Sequence, residues 1–345
     1  MRVANPVWSN EGVLVQDTPN CLLCGQEGVP LYQGLRDRLF EAPGGWSLME
    51  CKGCGLFWLN PMPLPSEIPK LYKTYYTHTA PHYNRSRWRE LIKTSVLAAY
   101  YGYPTGGGNR VLGFFLSMLG PIRERVGASV LFLHARDRGK LLDVGCGDGR
   151  FLAWMSRLGW EGVGVDLDGD AVQTAKERFG VMALEGTIES ARFSTSSFDV
   201  VTMHHVFEHL SDPMKTLAEC YRVLRPGGKL VIVTPNAESL ASRLRGPTWL
   251  GWDPPRHLFI FSRRALHELV IRSGFTVWEL HTLAKGAYEI WSESRILGKR
   301  NAFSNSFPSR IPIFLKFESI VFYIFEYILN KWRYVGEELL LIATK

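Results

Sequence analysis

The sequence predicts an α/β fold built on a parallel sheet, and three observations predict it. From Lys140 onward, short apolar runs alternate with amphipathic stretches of helical length, the pattern of βαβ units. The apolar run Leu141-Leu142-Asp143-Val144 leads straight into a glycine-rich turn at 145–149. Glycines at 159, 180 and 274 each follow a helical pattern, as helix-ending glycines do.

Taken in order, strands are expected at 140–145, 162–167, 181–185, 199–204 and 229–234. Runs at 275–280 and 338–343 complete a seven-stranded sheet. Helices are expected at 149–158, 169–179, 212–224 and 262–273, which places helices on both faces. An insertion of about 284–335 separates the last two strands. Ahead of the sheet, residues 1–62 read as a small four-cysteine module. Residues 63–138 read as a helical linker or lid. That segment opens on Pro63, Pro65 and Pro69, passes Tyr72, Tyr75 and Tyr76, and ends in a glycine linker at 106–108 and one apolar helix around 111–133.

A chain of 345 residues accommodates one large domain and one small one. With 46% hydrophobic and 21% charged residues, wholesale disorder is excluded. The formal charge of +7 permits an anionic partner. No arginine-rich stripe accompanies the cysteines, so nucleic acid is not expected. The first residues carry no basic region followed by an apolar core, so no signal peptide is read. The apolar run 111–120 stops at Pro121 and Arg123, after about half a membrane span. The run 311–329 is interrupted by Lys316, Glu318 and Glu326. A cytoplasmic protein with reduced cysteines is the expectation.

In such a compartment, paired cysteines serve metals more often than disulfides. Cys21-Leu22-Leu23-Cys24-Gly25 and Cys51-Lys52-Gly53-Cys54-Gly55 are two C-x-x-C-G knuckles. Each places two thiolates on one ion, and the trailing glycine lets the backbone curl back. Four thiolates suit tetrahedral Zn²⁺ and leave no open position, so the expected role is structural. Cys146 and Cys220 lie outside this pattern and read as packing residues.

At the glycine turn, Gly145 and Gly147 let backbone approach a ligand closely, and the next helix points its free N–H groups at whatever binds. Such a turn also fits nucleotide and dinucleotide sites. Asp166 ends the second strand about twenty residues on, where a carboxylate can accept both hydroxyls of a ribose. NAD and S-adenosylmethionine share that requirement. The glycine spacing differs from G-x-G-x-x-G. Asp143 ahead of the turn suits a ligand bearing an ammonium or sulfonium and repels a pyrophosphate. The balance favours S-adenosylmethionine.

The run Asp143-Val144-Gly145-Cys146-Gly147-Asp148-Gly149 resembles motif I of the class I S-adenosylmethionine-dependent methyltransferases, whose fold is Rossmann-like. Gly186-Thr187-Ile188-Glu189, Ser197-Phe198-Asp199-Val200-Val201, Glu208-His209-Leu210 and Leu224-Arg225-Pro226-Gly227-Gly228-Lys229-Leu230 follow in that family's order. The resemblance covers about 140–282 and the terminal strand. It is nearest to a subgroup carrying Trp-x-x-Pro-x-His-Leu, here Trp252 to Leu258, often with an N-terminal cysteine module. The resemblance implies cofactor contacts from Gly145, Cys146, Gly147 and Gly149, with Asp143 and His204 near the methionine end. It also implies Asp166 on the ribose, Leu167 against the adenine, and Thr187, Ile188 and Glu189 at the adenine edge.

Methyl transfer to an oxygen of high pKa needs a base. His205, Glu208, His209 and His257 are the candidates, with His257 foremost. Glu208 and His209 read equally well as groups that hydrogen-bond within the fold. Ubiquinone-type O-methyltransferases carry a metal-site Glu three residues before the Glu-His pair. Here that position is His205, which puts metal dependence in question. By resemblance, the expected acceptor is a hydroxyl of a small molecule or glycan made in cell-envelope or secondary-metabolite synthesis, one carried on a lipid phosphate included. A quinone-like phenol, or a carbon or nitrogen of a nucleotide-sugar, is the alternative.

Within 311–330, Phe317, Ile320, Val321, Ile324 and Ile328 form an apolar helical stripe. Lys299, Arg300, Arg310, Lys331 and Arg333 flank it. The helix either covers the sheet or lies in a membrane interface.

Overall fold

A computed structural model describes residues 7–72, 86–299 and 311–345. Residues 1–6, Tyr75, Tyr76, Arg300 and Arg310, and the side chain of Lys299, lie outside the described set.

The cysteine module comprises β1 (Val7–Asn10), β2 (Val13–Gln16), β3 (Val29–Leu35), β4 (Trp46–Glu50), β5 (Leu56–Asn60) and β6 (Met62–Pro63). Three helices follow: α1 (Arg87–Ala99), α2 (Arg110–Met118) and α3 (Gly120–Ala128). The single helix expected at 111–133 is thus two. Leu119 adopts an extended conformation between them, and Pro121 sits in the first turn of α3. Proline tolerates a first turn but not a helix interior, where it would remove a hydrogen bond and clash with the preceding turn.

The large sheet then builds in alternation: β7 (Lys140–Val144), α4 (Arg150–Arg157), β8 (Glu161–Asp166), α5 (Gly169–Phe179), β9 (Met182–Glu185), β10 (Phe198–His204), α6 (Pro213–Val223) and β11 (Leu224–Pro235). Beyond it come α7 (Leu240–Arg245), β12 (Phe259–Phe261), α8 (Arg263–Arg272), β13 (Thr276–Leu283), α9 (Ala287–Lys299), α10 (Ile313–Arg333) and β14 (Glu338–Thr344). The seven strands run β13-β14-β11-β10-β7-β8-β9. Neighbours from β9 through β11 pair in parallel, whereas β14 enters antiparallel between β11 and β13. This doubly wound order starts at β7 and crosses over to β10, which leaves a crevice at the carboxyl ends of those two strands.

The module is not a satellite. Strand β12 pairs antiparallel with β5, so a four-stranded sheet, β12-β5-β4-β3, draws its edge strand from the chain beyond β11. Trp46, Leu48, Leu56 and Trp58 of the module share one continuous apolar core with Leu142, Met203, Ile232 and Leu341 of the large sheet. The sequence reading did not foresee this sharing. Phe259-Ile260-Phe261 is too short a run to announce a strand on its own.

Helix α10 runs against the usual amphipathic sense. The stripe Phe317, Ile320, Val321, Ile324 and Ile328 faces solvent. Ser319 and Glu326 are fully buried beside Leu315 and Phe322. Glu326 lies against Glu337. Burial first, then that second carboxylate, push it up to about 11, so the pair retains a proton. The helix does lean on the core, through Phe322 stacked on Trp291 at 4.0 Å, but with its less apolar face.

Candidate functional site

At the carboxyl end of β7 the chain turns at Gly145, Gly147 and Gly149, all with positive φ. A side chain at Gly145 would collide with Val206, so that glycine is required by packing as well as by conformation. A Cβ at Gly147 would meet nothing within 4 Å; this is the side of the turn left open to a ligand. Asp166 faces the turn from the end of β8. Its two oxygens accept the Gly147 N–H at 2.8 Å and the Asp168 N–H at 2.9 Å, each keeping a lone pair for a further donor. Leu167 beside it is 67% exposed, an apolar side chain with no protein cover. Ile188 is buried, and Glu189 is tied to the Thr216 hydroxyl at 2.8 Å. Thr187 and Ser190 exchange local bonds that shape the same loop. His204 closes β10 and is exposed in the crevice, its ring 4.6 Å from that of His205.

Two expected cofactor residues sit differently. Asp143 is buried beneath the turn and accepts the Thr202 hydroxyl at 2.6 Å, so it does not face the open side. Burial pushes it up to about 7, which weakens the charge argument the sequence offered for it. The Cys146 side chain is buried and packs against Gly164, so only its backbone is presented at the turn.

Next to this crevice lies a cavity of about 320 Å³, within the range of small-molecule sites. Phe40, His205, Trp249, His257, Glu293 and Glu338 are among its walls. His205 sits between two carboxylates, its Nδ1 3.2 Å from Glu208 and its Nε2 3.2 Å from Glu338. Burial opposes its charge, but the two carboxylates outweigh burial and push His205 up to about 10. That shift favours the protonated form and so runs against the expectation of His205 as a base. Glu208 is fully buried, and burial alone would raise its pKa. His205 reverses the sign and takes it down to about 2, and the Thr234 hydroxyl bonds its other oxygen at 2.9 Å.

His209 is lowered to about 4 by burial and by His257. Its Nδ1 lies 2.9 Å from the Tyr72 hydroxyl and 3.1 Å from the Arg256 carbonyl. His257 is different. Its Nδ1 donates to the Gly251 carbonyl at 2.8 Å, which in the neutral ring leaves the lone pair on Nε2, and the residue lines the cavity. That Nε2 is 4.0 Å from Glu208 and 3.9 Å from Asp253. Ligand atoms of Glu208, His209 and His257 lie within 4.8 Å of one another, a spacing a divalent ion can bridge.

Cys21, Cys24, Cys51 and Cys54 converge, with Sγ–Sγ distances of 3.4 Å (Cys21–Cys54) and 3.3 Å (Cys24–Cys51), and all four within 4.8 Å. Gly25 and Gly55 turn back with φ of 75° and 76°, donating to the Cys21 and Cys51 carbonyls. Four sulfurs with no competing donor suit one Zn²⁺ and no substrate. Cys220 is buried away from them.

Sequence reasoning missed Asp37, Arg256 and Trp252. Arg256 is wholly buried, forking onto Asp37 at 2.6 and 3.0 Å and onto Asp253. Trp252 lies between Tyr32 and Phe57 of the module, with ring centroids 5.9 and 5.8 Å away. The signal was present in Trp252-Asp253-Pro254-Pro255-Arg256-His257. Only the pairing across 219 positions was invisible.

A doubly wound sheet with a reversed strand inserted near one edge, a glycine turn on β7 and an acid at the end of β8 facing that turn define a class I nucleoside-cofactor enzyme. A methyltransferase domain family matches residues 119–280. The ubiquinone biosynthesis O-methyltransferase of Parvibaculum lavamentivorans is 33% identical over 178 residues, 48% of this chain and 70% of that protein. Its counterpart in Cereibacter sphaeroides is 32% identical over 168 residues, covering 41% and 68%. That of Xanthomonas oryzae pv. oryzae is 34% identical over 140 residues, covering 37% and 55%. A solved S-adenosylmethionine-dependent methyltransferase from Archaeoglobus fulgidus aligns over 69% of this chain and 95% of its own, at 23% identity and a TM-score of 0.43. The chain belongs to the class I S-adenosylmethionine-dependent methyltransferases.

Proposed function

We propose that the protein methylates a hydroxyl oxygen of a small-molecule acceptor seated in the cavity beside His204, with His257 as the base. The observation that carries this is His257 itself, which lines the cavity with its Nδ1 tied to the Gly251 carbonyl, so that the neutral ring keeps its lone pair on Nε2. Bound S-adenosylmethionine supplies the methyl group on its sulfonium. Gly145, Gly147, Gly149 and the backbone of Cys146 would line its turn, Asp166 would take the ribose hydroxyls, and Leu167 would lie against the adenine, with the backbone of the buried Ile188 at its edge. Thr187 and Glu189 shape the adenine edge. His204, with the buried Asp143 bracing the turn from below, borders the methionine end. His257 Nε2 would accept the hydroxyl proton as the oxygen gains the methyl group, with the carbon–sulfur bond broken and S-adenosylhomocysteine released. Glu208 and Asp253, both near that nitrogen, stabilise the resulting imidazolium. His205, bonded to Glu208 and Glu338 at once, holds Glu208 in place.

The named relatives favour a phenolic hydroxyl of quinone type. Carboxylates of Glu293 and Glu338 beside Phe40 and Trp249 favour instead a sugar hydroxyl, whose ring can stack while its other hydroxyls bond. Formation of S-adenosylhomocysteine with catechols and with nucleotide-sugars separates the two. His257→Ala is expected to abolish turnover with either and to spare cofactor affinity; full activity of that variant rules out the base. A metal-assisted variant rests on the convergence of Glu208, His209 and His257. It requires activity to fall on chelation and to return with a divalent cation.

Beside the exposed apolar stripe of α10, Val111, Phe114, Phe115 and Met118 of α2 and Leu119 after it are also exposed, and Tyr327 of α10 reaches Gly120 at the start of α3. Basic Arg110, Lys316, Lys331 and Arg333 are the exposed charges on these helices. No described helix is long and apolar enough to cross a membrane. We read this face as resting in an anionic membrane interface, which suits an acceptor carried on a lipid. Co-sedimentation with anionic vesicles at low salt tests it; protein left in the supernatant ends the idea.

A further inference from the structure

The cavity has one wall that the sheet does not build. Leu39 and Phe40 belong to the cysteine module, in the loop after β3, yet they line the same cavity as His205 and His257. Their position is fixed with unusual rigour. The Asp37 carboxylate accepts N–H bonds from Leu39 at 2.8 Å, Phe40 at 3.1 Å and Ala42 at 2.9 Å, which folds the loop around it. The same carboxylate takes the buried Arg256 fork. Arg256 in turn grips Asp253, lies 4.8 Å from the Phe40 ring centre, and immediately precedes His257. One guanidinium thus sets the distance between the module's wall and the proposed base.

We infer that the module is a specificity element: Leu39 and Phe40 limit the bulk of the acceptor opposite His257, and Asp37 and Arg256 are positioning residues that hold that wall. The inference deepens the reading of the cavity as the acceptor site and rests on it. Trimming Phe40 opens apolar space opposite the reacting hydroxyl without touching the cofactor turn. The discrimination an apolar wall provides is typically about 10- to 200-fold per group accommodated or refused.

The experiment uses the full chain with S-adenosylmethionine and four catechols of rising ring substituent: none, methyl, tert-butyl and octyl. Binding to the S-adenosylhomocysteine complex is followed by calorimetry and turnover by product formation. Phe40→Ala is expected to raise the kcat/KM ratio of tert-butylcatechol to catechol about tenfold, and the binding ratio with it, at unchanged S-adenosylhomocysteine affinity. Leu39→Ala is the second variant, with the same expected direction. Asp37→Asn is expected to blur the ratio while kcat for plain catechol falls less than KM rises, a split that a merely destabilised protein would not show. Ratios that match wild type in both wall variants overturn the inference. If the catechols bind with the altered preference but are not methylated, the wall stands and the phenolic reading falls. A series that neither binds nor reacts overturns both.

Discussion

The two halves of the active cleft are built on opposite plans. The proposed cofactor end comes mainly from one stretch, 143–189, joined by His204 from the end of β10. The proposed acceptor end is assembled from the module loop at 37–40, the β10 terminus, the end of β11, the 249–257 segment, α9 and the start of β14. A local turn can be preorganised by backbone alone. A cavity built from six distant segments must be braced, and here the bracing is electrostatic: Asp37–Arg256–Asp253 on one side, Glu208–His205–Glu338 on the other. Substitutions at the cofactor end should therefore act mainly on binding, whereas those at the acceptor end should mix catalysis with stability.

The largest effect that would sharpen this contrast is expected from His257→Ala. Loss of a general base costs about 10²- to 10⁴-fold in kcat, and S-adenosylhomocysteine affinity measured by calorimetry should not move. Asp166→Ala should do the reverse. Losing two charge-assisted ribose bonds at roughly 1.5–3 kcal/mol each predicts at least a hundredfold weaker S-adenosylhomocysteine binding, with a small fall in the melting temperature of the free protein from the lost Gly147 and Asp168 N–H bonds. Equal affinity of the two proteins would break the assignment of Asp166. Arg256→Ala leaves Asp37 and Asp253 buried without their cation, an expected loss of about 3–5 kcal/mol in chemical denaturation.

Removing the metal should yield an effect of comparable kind. One zinc per chain is expected from elemental analysis, and its chelation should lower the stability of the whole chain, because the module and the sheet share a core. A chelated protein that keeps full cofactor affinity and an unshifted melting curve would make the module dispensable. A subtler expectation concerns pH. His205 is raised from 6.5 to about 10, so the stability it adds is complete below pH 6.5 and is lost as pH rises through 10. Glu208, lowered from 4.5 to about 2, adds stability above 4.5 that is lost on falling through 2. The melting-temperature gap between wild type and His205→Gln should therefore be widest between pH 4.5 and 6.5 and narrow toward 10. Smallest of all, Ile324→Glu on the exposed stripe should leave stability within about 0.5 kcal/mol while weakening vesicle binding.

The same contrast explains what was legible in the sequence. Strand β8 and helices α4, α5, α6 and α8 fall within a residue or two of expectation, because each is written in local periodicity and closed by a local glycine or cap. The glycine turn, Asp166 and the four cysteines carry their chemistry in short spacings. His205 does not: its charge depends on Glu338, 133 positions away, and nothing near residue 205 reports it. Helix α10 misled in a different manner. Its periodicity was real, but periodicity reports that a helix has two faces and not which of them turns inward.

Strand β12 has a consequence for how such chains can be recombined. A four-cysteine cassette moved to another methyltransferase at its apparent boundary would arrive with β5 as a bare edge, and such an edge recruits foreign strands. The transferable unit is discontinuous. It must carry the tryptophan-to-phenylalanine segment 249–261 as well, and with it the residue proposed as the base. Swapping modules to alter the acceptor would in practice mean swapping half of the catalytic apparatus, so in this lineage the two should be inherited together.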